Sequence, residues 1–107
     1  MLSQEQVFVF LRDYSPTTQS AIAFAARAAG ATNITDATLS NWLRGRTSLP
    51  EEALECIESG MAAIANICHD GYRWPLDFSS PKMDGLIREY VGKHRQYLVE
   101  KAMEAEG

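Results

Sequence analysis

The sequence of 107 residues predicts an all-α fold, a compact bundle of about five helices that ends in a longer C-terminal helix. Three observations lead to this prediction. Signals that begin and end helices recur along the chain, apolar residues repeat at spacings of three and four, and the alternation typical of strands is weak. Apolar residues make up 46% of the chain, which is enough for one core in a single domain of ordinary size.

The first helix is predicted from about Gln4 to Asp13. Ser3 and Gln6 have the spacing of a capping box, in which each side chain accepts a hydrogen bond from the other residue's backbone. The apolar run from Val7 to Leu11 would by itself suit a strand. Because it follows the cap and continues into polar residues, a helix is the better interpretation.

The second helix is predicted to open at Ser15 and Pro16, as an N-cap followed by proline in the first helical position, and to end at Gly30. Six alanines between Ala21 and Ala29 favour a helix and permit a neighbouring helix to approach closely.

The third helix is predicted from an N-cap at Thr35 to Arg44, just before Gly45. The spacing of three apolar residues places them together on the face that points into the core: Leu39, Trp42 and Leu43. Five further residues are predicted to face outward: Asp36, Ala37, Ser40, Asn41 and Arg44.

The fourth helix is predicted from Pro50 to about Ile67, with Glu51 and Glu52 in the first turn, where the helix dipole favours acids. The loop that follows, residues 69–81, is rich in turn residues. Four of its residues are predicted to fold back as a small apolar cluster: Tyr72, Trp74, Leu76 and Phe78.

The last helix is predicted from Pro81 to about Glu104. Its apolar stripe leaves two alternatives open, because it can pack on the helical core or pair with a second copy of the chain. The stripe residues with which we associate dimerisation are Met83, Ile87, Tyr90, Val91, Tyr97 and Leu98. Within one domain, we therefore distinguish a core of residues 1–68 from residues 69–107, which add the loop and this helix.

The acidity of the chain is confined to its middle. The net charge is -4, but residues 1–49 carry four arginines against three acids, whereas residues 50–80 carry six acids against one arginine. An anionic partner for the first half is therefore compatible with the overall charge.

Other classes of function find little support in the sequence. Cys56 and Cys68 are expected to be reduced residues of the core, and no four metal ligands converge, so we expect neither a metal nor a cofactor. No phosphate-binding loop, nucleophile elbow or zinc-protease motif is present, so an enzyme is not expected. No segment predicts a membrane span, and the N-terminus lacks the basic start of a secretory signal, so we expect a cytoplasmic protein.

Residues 26–50 resemble the helix-turn-helix of the phage Cro and repressor family. Ala26 and Gly30 match the alanine and glycine of the positioning helix, and Ile34 with Thr35 matches the apolar and capping positions. Leu39 and Trp42 match the buried pair of the recognition helix, Ser40 between them agrees, and Gly45-Arg46 before Pro50 resembles the usual exit. The residues Ala31-Thr32-Asn33 lengthen the turn of the family pattern by three.

The resemblance implies a sequence-specific DNA-binding regulator of repressor type, phage or prophage related, that acts as a homodimer on double-stranded DNA. Helix 35–44 would enter the major groove, where Asn41 suits adenine, Ala37 suits a thymine methyl group and Asp36 suits a cytosine amine. The full set of predicted DNA-binding residues is Thr17, Thr18, Gln19, Thr35, Asp36, Ala37, Ser40, Asn41, Arg44 and Arg46.

The alternative function is a protein-binding module on the same scaffold, such as an antirepressor, an antitoxin-like partner or a phage-encoded inhibitor of a host nucleoprotein. The acidic fourth helix, Asp36 and the lengthened turn favour it, because an acidic surface can dock on a basic partner.

Overall fold

The computed structural model describes residues 1–14, 17–71 and 81–106, and over these ranges the chain forms five α-helices and no strand. The predicted all-α fold with a longer last helix is confirmed. The predicted cluster of Tyr72, Trp74, Leu76 and Phe78 lies outside the described residues. The helices, in chain order, are α1 (Gln4–Asp13), α2 (Gln19–Ala28), α3 (Asp36–Leu43), α4 (Glu51–His69) and α5 (Pro81–Glu106).

The core forms where α2 and α5 pack on α4. The contact between α2 and α4 is close because both helices present small residues there. A Cβ atom added to Gly60 of α4 would lie 2.9 Å from the Cβ of Ala25 and 2.9 Å from the backbone nitrogen of Ala26. Gly60, an unfavourable residue for the middle of a helix, is therefore explained by packing.

Helix α1 begins with the predicted capping box. The Ser3 hydroxyl accepts from the Gln6 backbone N–H at 3.3 Å, and the Gln6 side-chain oxygen accepts from the Ser3 backbone N–H at 2.7 Å. The apolar run that follows is only partly buried. Val7 is fully enclosed, whereas Phe8 is 49% exposed, so α1 lies on the edge of the bundle.

Helix α2 begins later than the sequence predicted. Its N-cap is Thr18, whose hydroxyl accepts from the Ala21 backbone N–H at 3.2 Å. The predicted start at Ser15 and Pro16, which lie outside the described residues, is therefore wrong. The physical reason is that the Thr18 hydroxyl satisfies a backbone N–H of the first turn, while just before it the Thr17 backbone N–H donates to the Tyr14 carbonyl at 2.8 Å instead of joining the helix.

Helix α5 has two parts that differ in burial. Up to His94 it packs on the rest of the chain, and Ile87, Tyr90 and Val91 belong to the core. From Arg95 onward every described side chain is exposed. We call residues 95–106 distal α5. Among the helices that the structure describes, none combines the length and apolar character needed to cross a membrane.

Candidate functional site

The two faces of α3 are as different as the sequence predicted. Leu39 is fully buried, and Trp42 and Leu43 are 4% and 7% exposed, so one face is held in the core. The opposite face presents the predicted outward residues to solvent. Asp36, Ala37, Asn41 and Arg44 are exposed and Ser40 is half-buried.

The N-terminal turns of α2 and α3 are joined by a side-chain hydrogen bond. Ser20, in the first turn of α2, donates from its hydroxyl to a carboxylate oxygen of Asp36 at 2.6 Å. The bond brings the first turns of α2 and α3 together on one surface. It also occupies one oxygen of Asp36 within the chain, which leaves that carboxylate less free to read a base than the sequence suggested.

Two of the three threonines that were predicted to bind DNA use their hydroxyls to cap helices, whereas the buried Thr17 hydroxyl has no partner among the described residues. The Thr35 hydroxyl caps α3 by accepting from the Thr38 backbone N–H at 3.2 Å, and it lies 3.0 Å from the Thr38 hydroxyl. Thr18 is exposed, and its hydroxyl caps α2. Thr17 is 6% exposed and belongs to the interior, so its side chain is not part of the surface, whereas Gln19 is half-buried beside it.

The end of α3 is closed by its own backbone. The Gly45 N–H donates to the Trp42 carbonyl at 3.0 Å and the Arg46 N–H donates to the Asn41 carbonyl at 2.9 Å. This pair of bonds is a Schellman motif, and Gly45 supplies the positive φ of +74° that it needs. The motif holds the backbone of Arg44 and Arg46 against the last turn of α3.

The two arginines at this end have no charged partner among the residues that the structure describes. Arg44 and Arg46 are both exposed, and neither forms an ion pair or a side-chain hydrogen bond with a described residue. A pair of free guanidinium groups next to a polar helix face is suited to bind an anion such as phosphate, because each offers several N–H donors.

The lengthened turn between α2 and α3 is fixed from both ends. At the α2 end, the N–H groups of Gly30 and Ala31 donate to the carbonyls of Arg27 and Ala26, both at 3.1 Å. At the α3 end, the Arg27 guanidinium donates to the Ile34 carbonyl at 2.8 Å. The three additional residues are therefore held in place by bonds on either side of them.

Two residues of this surface were missed by sequence reasoning. Ser20 looks like one more polar residue of a helix start, and Arg27 looks like an ordinary charge near a helix end. Their partners, Asp36 and Ile34, belong to the next element, and only the folded arrangement of the two helices shows the bonds.

The predicted dimerisation residues fall into two groups. Ile87, Tyr90 and Val91 are buried within the chain and Met83 packs against the core, whereas Tyr97 and Leu98 are 52% and 47% exposed. The first alternative, packing on the core, therefore applies to the first part of α5. The exposed group continues in distal α5 with Val99 and Met103, at 59% and 66%.

No metal-binding geometry occurs in the part of the chain that the structure describes, where no three His, Cys, Asp or Glu residues come together. Cys56 is buried and Cys68 is partly buried, and the two cysteines form no disulfide. Comparisons with family models, with curated protein sequences and with solved structures found no match for this chain.

Proposed function

We propose that the chain is a sequence-specific DNA-binding regulator of the Cro and repressor type, in which α2 and α3 form a helix-turn-helix and α3 reads the major groove. The observation that carries the proposal is the division of α3 into a buried apolar face and an exposed polar face that ends in two uncompensated arginines. A major groove is wide enough to admit one such helix.

The exposed residues would divide into readers of bases and holders of phosphate. Asn41 in the last turn of α3 has the amide that can form two hydrogen bonds with adenine, and Ala37 one turn earlier suits a thymine methyl group. Arg44 and Arg46 would contact phosphates at the end of the helix, with Thr18 and Gln19 at the start of α2 doing so from the other side.

Asp36 takes a positioning role in this proposal. Its bond to Ser20 links α3 to α2, and its charge lies at the positive end of the α3 dipole. The favourable placement within the chain offsets part of the repulsion that a carboxylate would exert on nearby phosphate.

Dimerisation would be needed for tight binding, because one copy offers few cations to the phosphates. Distal α5 is the surface that supports a dimer, since it exposes Tyr97, Leu98, Val99 and Met103 along one short helical segment. Pairing with a second copy would remove these apolar side chains from water and so stabilise distal α5.

Selection of bound duplexes from a random pool at low salt tests the proposal. The selected duplex should bind with submicromolar affinity. Asn41→Ala should weaken that binding by about 1–3 kcal/mol and remove the preference at one base pair, while the preferences at the other base pairs stay unchanged. Asn66→Ala, which removes an exposed asparagine from α4, is the matched control and should leave binding unchanged. Failure of every duplex to bind better than micromolar would refute DNA recognition.

The acidic edge of α4 supports a second candidate, a module that binds a basic protein. Glu51, Glu52, Glu55 and Glu58 are all exposed, and none forms an ion pair with a described residue. Four free carboxylates on one helix suit a basic partner surface. Recovery of a stoichiometric protein whose binding survives Asn41→Ala and Arg44→Ala, but is lost in Glu55→Gln with Glu58→Gln, would favour this function over DNA binding.

A further inference from the structure

A cleft of about 530 Å³ lies between the turn that joins α2 to α3, the first half of α4 and the start of distal α5. Its size is within the range of small-molecule sites, which are commonly about 300–1,000 Å³. The apolar part of its lining includes Ala29, Ala31, Ile34, Leu49 and Ala53. This combination of volume and apolar lining suits an organic molecule.

The lengthened turn forms one wall of this cleft. Ala31, Thr32 and Asn33, the three residues that extend the turn, all line it, and Thr38 of α3 lies beside them. The Arg27 guanidinium and the backbone N–H groups of Gly30 and Ala31 fix this turn at both ends, so the wall that it forms is held in place. The additional residues therefore have a structural consequence, which is a concave surface next to α3.

Charges of both signs meet at the rim of the cleft. Arg95 of α5 directs a guanidinium nitrogen to the Cys56 sulfur at 3.0 Å, and a thiol is a weak acceptor that leaves the charge of the guanidinium uncompensated. Glu52 and Glu55 of α4 also line the cleft. None of these three charged groups forms an ion pair with a described residue.

We propose that the cleft binds an α-amino acid with an apolar side chain. The carboxylate of the ligand would accept hydrogen bonds from the Arg95 guanidinium, whose parallel N–H groups match a carboxylate. The ammonium group would lie between Glu52 and Glu55, and the side chain would cover Ala31, Ile34 and Ala53. A zwitterion can pair both with the guanidinium and with the carboxylates of the cleft, whereas a simple acid or a simple amine can pair with only one of the two.

Titration of the 107-residue chain with leucine, methionine and phenylalanine in the absence of DNA, monitored by backbone amide NMR, tests the proposal. At least one of the three should bind and shift the amide signals of Thr32, Asn33 and Thr38 together. The carboxamide and the N-acetyl derivative of the best binder each lack one charge, and each should bind about tenfold more weakly or worse. The absence of binding by all three amino acids would overturn the proposal.

One variant and its matched control test the role of Arg95. Arg95→Gln should reduce the affinity for the amino acid to that of its carboxamide and should leave the affinity for the carboxamide itself unchanged. Lys93→Gln is the matched control, since Lys93 is an exposed cation of the same helix that does not line the cleft. Its ammonium group pairs with the Glu89 carboxylate at 3.4 Å. Equal weakening of the amino acid and its carboxamide by Arg95→Gln would contradict the role of Arg95. Because no DNA is present, the outcome is independent of the proposed DNA binding.

Discussion

Helix α3 and distal α5 both carry apolar residues at helical spacing, yet the chain uses them in opposite ways. In α3 the apolar residues Leu39, Trp42 and Leu43 are buried, and what remains exposed is polar. In distal α5 the apolar residues Leu98, Val99 and Met103 are themselves exposed. The surface of α3 is therefore suited to a polar partner, and that of distal α5 to an apolar one such as a second copy.

Removal of the Trp42 side chain, which holds α3 in the core, should produce the largest change in the free energy of unfolding. Trp42→Ala deletes a side chain that is 4% exposed, and loss of so large a buried group destabilises by about 3–5 kcal/mol. Urea denaturation followed by circular dichroism measures the change. Asn41→Ala, on the exposed face of the same helix, is the control and should remain within about 0.5 kcal/mol of the parent. Equal effects of the two variants would mean that α3 is not anchored as described.

Two glycines in helix interiors should respond in opposite directions to the same substitution. Gly60→Ala should destabilise by about 1–3 kcal/mol, because the new methyl group would overlap Ala25 and the backbone of Ala26. Gly92→Ala meets nothing within 4 Å and should stabilise by up to about 1 kcal/mol through helix propensity. Thermal unfolding of the two variants measures both signs, and stabilisation by Gly60→Ala would contradict the close approach of α2 and α4.

Substitution in distal α5 should affect assembly more than folding. Leu98→Lys places a charge on a side chain that is 47% exposed, so the stability of the single chain should change by about 0.5 kcal/mol or less. If distal α5 pairs two copies, sedimentation of the parent should give a dimer and that of Leu98→Lys a monomer. Gln96→Lys adds the same charge at an exposed polar position and should remain dimeric. A parent chain that sediments as a monomer up to millimolar concentration would exclude this dimer.

The sequence predicted the helices well because their boundaries depend on local chemistry. The capping box at Ser3, the cap at Thr35 and the glycine ends at Gly30 and Gly45 each satisfy backbone groups within a few residues, so their signals can be read directly. The start of α2 was mispredicted because several hydroxyl residues competed for the cap. The hydroxyl that accepts from the first turn belongs to Thr18, so the helix begins after that residue.

The candidate site was less accessible to sequence reasoning, since its decisive contacts join separate elements. The outward face of α3 follows from spacing alone, but the bond from Ser20 to Asp36 requires the packing of α2 on α3. Arg95 lies 39 residues beyond Cys56 in the chain and reaches it only because α5 packs on α4. The apolar stripe of α5 likewise could not reveal where burial ends, because the pattern continues after the helix leaves the core.

The salt dependence of duplex binding tests the central claim most directly. For the duplex selected from a random pool, the affinity of the parent should fall linearly with salt on logarithmic axes, and replacement of Arg44 and Arg46 by glutamine should reduce the magnitude of that slope by about 2. Asn41→Ala should lower the affinity and leave the slope unchanged, because it removes a base contact and no phosphate contact. An unchanged slope in the double arginine variant, with affinity equal to that of the parent, would contradict the account that α3 and its arginines form the DNA-binding surface.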